Sequence, residues 1–238
     1  MYKATILLIV ISFCNSRNCV HSYSVEAVSS QKWSQAYSPY WDDQKKCLYF
    51  VDFFDAKRTM NRYVPAENRF YSAAIEGNIS TTFMLPIVEH VNQFAVSDKR
   101  SVKVVEWNGV DSMARMVRDT FTVETGPKHE FNNYNMAWAS PKHSFYGGTF
   151  PFDLCATSSS PRASLYRYNQ CLGAKAVAND VIVSGGMDWN IKGNKFYFID
   201  TCRNVVYEYD WDPTTDEICK QLIFKVENSH WKCKQIFF

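Results

Sequence analysis

WDDQKKCLYFVD (Trp41 to Asp52) and WNIKGNKFYFID (Trp189 to Asp200) are one short unit written twice, 148 positions apart and without a gap. Trp, Tyr49/Tyr197, Phe50/Phe198 and Asp52/Asp200 coincide, and the same offset lays Tyr63 on Trp211 and Pro65 on Pro213. Outward from this pair, a middle copy at an offset of 97 puts Trp138, Phe145 and Tyr146 on Trp41, Leu48 and Tyr49, followed by GGTF (Gly147 to Phe150). A fainter copy runs through QFAVSDKRSVKVVEWNG (Gln93 to Gly109). Repeats of this period set the architecture before any single element does.

Within each copy, short aromatic or β-branched runs alternate with turns rich in Asp, Asn, Lys or Gly, which is the pattern of an antiparallel meander. LYFVDFF is apolar nearly without alternation, as in a strand covered on both faces. Units of about 45 to 50 residues that cannot bury both sheet faces alone stack radially. The expected fold is therefore an all-β propeller, with room for about four blades, and Trp41 and Trp189 are expected at equivalent places in two of them. Asp52 and Asp200 end equivalent strands, so a structural task such as capping a turn is expected of them.

The chain has 238 residues, 46% of them hydrophobic and 16% aromatic, enough for a sizeable core. At the start, Lys3 precedes the apolar run ATILLIVISFC (Ala4 to Cys14), far short of the roughly 20 residues of a membrane span. It reads as a signal peptide occupying 1–22, with cleavage after Ser16 or Ser22, so a secreted, extracellular protein with a single domain over 23–238 is expected. Cleavage after Ser22 removes Lys3 and Arg17, leaving 24 basic against 24 acidic residues and no electrostatic footprint for nucleic acid. Cys47, Cys155, Cys171, Cys202, Cys219 and Cys233 remain, and disulfides are expected among them with connectivity left open.

His21, His90, His129, His143 and His230 show no metal-ligand spacing, and there is no GxSxG elbow for a serine nucleophile. Asn78 opens the glycosylation sequon NIS.

SPYWDDQKKCLYFVDFFDAKRTMNRY (Ser38 to Tyr63), FYSAAIEGNIS (Phe70 to Ser80), VKVVEWNGV (Val102 to Val110), FYGGTF (Phe145 to Phe150), LYRY (Leu165 to Tyr168) and SGGMDWNIKGNKFYFIDT (Ser184 to Thr201) together resemble the senescence marker protein/regucalcin family. That group includes gluconolactonases and luciferin-regenerating enzymes, and the likeness is nearest to insect regucalcins. It implies a six-bladed propeller whose axial cavity holds calcium or another divalent cation and hydrolyses a small sugar lactone. The chain looks like a shortened, secreted form of it.

Carried over by motif, the resemblance puts Asn135 of FNNYNMAWASP (Phe131 to Pro141) at a metal-ligand position. Asn133 stands where the family has a substrate-contacting Arg, and Met136 stands in place of an Asp. Two further family ligand positions are substituted: a Glu is replaced by Tyr37, and an Asn by Gly185. A fourth ligand, in a Pro-Asp-Gly motif, is expected beyond Glu227, where the chain ends without it. Asp153 lies near where some family members place a substrate-contacting acid, and Asp153 or Glu130 could serve as substitute ligands.

A hard cation takes about six to eight oxygen ligands with a carboxylate or two among them, so this set predicts weak cation binding. Three readings follow. One is a metal-dependent lactonase or calcium-binding protein with an impaired site, and another is a secreted non-catalytic propeller with a binding or effector role. The last is a fragment of a longer lactonase. The sequence names no protein partner.

Overall fold

A computed structural model describes residues 7–9, 25–53, 58–151 and 162–225. Apart from a short antiparallel pair, β1 (Leu7–Ile9) with β2 (Val25–Ala27), the strands form four consecutive four-stranded antiparallel meanders. Both cleavage positions fall outside the described residues, as do Asp153, Cys155 and Cys233.

Blade 1 is β3 (Ala36–Asp42), β4 (Cys47–Asp52), β5 (Thr59–Val64) and β6 (Arg69–Ile75). Blade 2 is β7 (Met84–Pro86), β8 (Gln93–Asp98), β9 (Ser101–Glu106) and β10 (Met113–Thr122). Blade 3 is β11 (Asn132–Ala139), β12 (Phe145–Pro151), β13 (Ala163–Asn169) and β14 (Gly173–Val181). Blade 4 is β15 (Ser184–Trp189), β16 (Lys195–Asp200), β17 (Val205–Asp212) and β18 (Glu217–Lys225). A two-residue parallel contact, Met113 with Ala74 and Ala114 with Ile75, joins the outer strands of blades 1 and 2.

Turn chemistry sets the hairpins. Asp42 Oδ1 accepts from the Gln44 and Lys45 backbone N–H groups, and Asn190 Oδ1 accepts from those of Asn194 and Lys195. The buried side chains cluster between adjacent blades. Tyr49, Val51 and Met60 of blade 1 pack on Phe94, Val96 and Val105 of blade 2. Phe83 and Leu85 meet Tyr134 and Ala137 between blades 2 and 3. Tyr146 and Leu165 meet Phe196 and Phe198 between blades 3 and 4.

Trp41 and Trp189 hold equivalent registers, Trp41 opposite Leu48 and Trp189 opposite Phe196. Their surroundings differ: Trp189 packs edge-on to Tyr146 of the preceding blade, 5.2 Å between centroids, whereas Trp41 is 45% exposed.

The ungapped repeat holds through the first hairpin and then needs correction. Leu48 faces Tyr63 but Phe196 faces Tyr209, so Tyr209, and not Trp211, is the counterpart of Tyr63. The connection between β16 and β17 is shorter than that between β4 and β5. In blade 3, Trp138 lies opposite Tyr146 and not Phe145, because the turn there is one residue longer than in blade 1.

Asp52 and Asp200 act as structural anchors. Asp52 accepts from the Ser34 and Gln35 N–H groups at 2.8 and 2.7 Å, and Asp200 from those of Ile182 and Val183 at 2.9 and 3.2 Å. Each carboxylate thus holds the segment that leads into its own blade's inner strand. Cys47, Cys171 and Cys219 are free thiols, which excludes a full pairing of the six, and Cys202 is disulfide-bonded.

Candidate functional site at the propeller axis

Three inner strands carry a register shift near their beginnings: between Tyr37 and Tyr40 in β3, between Tyr134 and Met136 in β11, and between Ser184 and Met187 in β15. A bulge re-aims the side chain at the irregular position. Tyr37, Asn135 and Gly185 sit at or beside these three bulges, and the fold brings them together.

Tyr37 Oη donates to Asn135 Oδ1 at 2.8 Å, linking blade 1 to blade 3. Asn135 Nδ2 in turn donates to the carbonyl oxygen of Ser184, linking blade 3 to blade 4. The Tyr37 side chain is buried, and burial pushes its phenol well above the ordinary tyrosine value, which the hydrogen bond to Asn135 offsets only in part. Tyr37 therefore stays protonated and serves as a donor.

Gly185 fits its place by lacking a side chain. A Cβ there would lie 2.8 Å from Thr201 Oγ1 and 3.0 Å from Ile199 Cβ. The Ser184 hydroxyl is fully buried without a hydrogen-bond partner, pressed against Gly148. That placement is unsuited to a nucleophile, which needs a base within reach and an approach for substrate.

Beside this cluster lies a cavity of about 320 Å³. Arg58, from the connection between β4 and β5, and Asp98 and Lys99, from the turn between β8 and β9, line it. Asn78, Ser80 and Asn133 complete its polar wall. Tyr134, the residue before Asn135, also lines it, and its N–H donates to the Lys99 carbonyl at 2.7 Å while its carbonyl accepts from Thr82 Oγ1 at 2.9 Å. Asn133, expected as a substrate contact, faces this cavity and donates only weakly to the Phe131 carbonyl, at 3.4 Å. Glu130 is exposed at the end of a short 3-10 turn, Pro127–His129. Among the described residues no three His, Cys, Asp or Glu side chains converge as a metal site.

One buried acid carried no signal in the sequence. Glu124, its side chain 1% exposed, accepts from Asn132 Nδ2 and Thr149 Oγ1 at 2.8 Å each and from Tyr166 Oη at 3.2 Å. It ties the segment entering blade 3 to β12 and β13, as Asp52 and Asp200 tie theirs. Its bonds are all directed at the protein.

A family model described as "SMP-30/Gluconolactonase/LRE-like region" matches residues 36–230. Regucalcin of Danio rerio is 22% identical over 207 residues, covering 87% of this chain and 65% of the relative. Regucalcin of Xenopus laevis is 24% identical over 195 residues, with coverages of 82% and 61%. The chain thus spans less than two thirds of the length of these relatives. Among solved structures, a luciferin-regenerating enzyme superposes with a TM-score of 0.72 at 26% identity, covering 80% of this chain and 60% of that one. A calcium-binding regucalcin from Agrobacterium tumefaciens gives a TM-score of 0.67 at 14% identity, covering 83% and 61%.

Proposed function

Because this chain belongs to the SMP-30/Gluconolactonase/LRE-like family, we propose that it keeps the family's ligand-binding end but has exchanged the cation centre for direct hydrogen bonds between blades. The observation that carries this is the Tyr37–Asn135 hydrogen bond. At the three positions aligned with cation ligands, the donor set is one phenol, one amide and one residue without a side chain. The one carboxamide oxygen among these side chains, Asn135 Oδ1, already accepts a hydrogen bond from Tyr37. None of the three brings a carboxylate to offset the charge, and among the described residues no acidic cluster supplies one, so these residues do not fit a divalent cation.

A lactonase of the family type needs a cation to polarise the carbonyl and activate water. The proposed role is therefore binding of a small sugar-derived ligand, with the Tyr37–Asn135–Ser184 chain clamping blades 1, 3 and 4 where charge repulsion among ligand carboxylates would otherwise need a cation. Secretion, expected from the leader, would place that binding outside the cell.

Lactone hydrolysis tests this reading. The purified mature protein, assayed on gluconolactone with calcium, zinc or manganese added in turn, is expected to show no metal-dependent rate above the uncatalysed one. Turnover that a chelator abolishes and calcium restores would return the protein to the metal-dependent lactonases.

A further inference from the structure

Among the described residues, the cavity beside the axial cluster is lined by two basic side chains, Arg58 and Lys99, and one acidic one. Asp98, its one lining acid, is engaged by Lys103 Nζ at 3.0 Å. Arg58 and Lys99 are both exposed, and neither forms an ion pair with any described residue. Both side chains project from turn residues with left-handed backbone, φ 47° at Arg58 and 55° at Lys99, so the bends of two neighbouring blades present them to one space. Around them stand hydroxyls and carboxamides: Asn78, Ser80, Thr82 and Asn133. At about 320 Å³ the cavity is at the small end of the range for ligand pockets, roughly 300 to 1,000 Å³.

We propose that this cavity binds a small anionic polyol, a hydroxylated compound carrying one carboxylate or phosphate. Arg58 and Lys99 take the oxyanion, and Asn78, Ser80 and Asn133 take the hydroxyls. A guanidinium and an ammonium without an ion-pair partner among the described residues have donor capacity to offer an oxyanion. The carboxamides offer both donors and acceptors, which matches hydroxyl groups, and Phe53 in the lining offers a surface for a carbon skeleton. The site is distinct from the three axial positions and asks for no cation. The inference rests on the reading of this chain as a ligand-binding propeller without a metal centre.

Calorimetric titration of the mature protein in the presence of a chelator tests it, with gluconate, a glucose phosphate and sorbitol as probes. Gluconate or the glucose phosphate is expected to bind, and the stronger of the two identifies the oxyanion. Sorbitol, which has the hydroxyls without the charge, is expected to bind about tenfold more weakly or worse. Arg58→Gln and Lys99→Gln should each weaken the anion about tenfold, with Arg58→Lys restoring part of the loss at Arg58 and with unchanged thermal unfolding in all three variants.

Sorbitol binding as tightly as the anions, or anion binding indifferent to both Gln substitutions, would overturn the proposal. Absence of anion binding both with chelator and with added calcium overturns this inference alone. Binding that appears only when calcium replaces the chelator overturns the metal-free reading with it.

Discussion

Tyr37 of blade 1 and Asn135 of blade 3, separated by 98 positions in the chain, are joined by a 2.8 Å hydrogen bond in which the phenol donates. The Asn135 Nδ2 bond to the Ser184 carbonyl carries the tie on from blade 3 to blade 4. Tyr37→Phe removes the proton and leaves a partly buried amide oxygen without its donor. The expected loss is about 1 kcal/mol, read as a lower urea midpoint at unchanged slope. An unchanged midpoint would mean that water replaces the phenol at no cost.

The two strand-end carboxylates make a matched pair of tests. Asp52→Ala and Asp200→Ala each orphan two backbone N–H groups, so each should lose roughly 2 to 4 kcal/mol, with Asn at either position recovering part of it. If one variant is severe and the other silent, the two positions are not doing the same task.

Gly148 has no room for a methyl group, because a Cβ there would overlap the Ser184 side chain across the contact between blades 3 and 4. Gly148→Ala should cost about 1 to 3 kcal/mol. Ser184→Ala, which deletes a buried hydroxyl with no hydrogen-bond partner, should be neutral or stabilising and should leave ligand binding intact. Loss of a hydrolytic activity in Ser184→Ala would contradict the structural role assigned to it.

Alkaline pH should weaken the fold. Burial first, then the nearby Glu124 carboxylate, pushes the Tyr166 phenol up to about 12, and burial followed by Tyr207 does the same for Tyr209. The fold favours the neutral phenol, so this stability is complete below the ordinary value of 10.0 and is lost as pH rises from there through about 12. Urea midpoints across that interval should fall, and Tyr166→Phe or Tyr209→Phe should flatten the decline. A midpoint independent of pH there would show that these rings are not held as described.

Much of this was legible in the sequence where local chemistry decides it. The offset of 148 places Asp52 and Asp200, and Trp41 and Trp189, correctly because the first hairpins of blades 1 and 4 use the same turn length. It fails at Tyr63 and Trp211 because the next connection differs by two residues, which no apolar pattern encodes. The outer strand β10 is mostly exposed and β14 is mostly exposed or half-buried, so they carry little apolar signal even though every blade has four strands.

At the axis, motif alignment named Tyr37, Asn135 and Gly185 but could not show that they would bond to one another. That depends on three bulges and on the closure of blades far apart in the chain. Arg58 and Lys99 escaped notice because each belongs to a short Lys-Arg pair that matches no ligand motif in the sequence, and only the stacking of blades makes them neighbours of one cavity.

The proposed replacement of the cation centre by hydrogen bonds is most directly tested by calorimetric titration of the chelator-treated protein with calcium. The account predicts no saturable heat at micromolar calcium and at most weak binding at about millimolar concentrations. A one-site isotherm with micromolar affinity, abolished by Asn135→Ala, would contradict it.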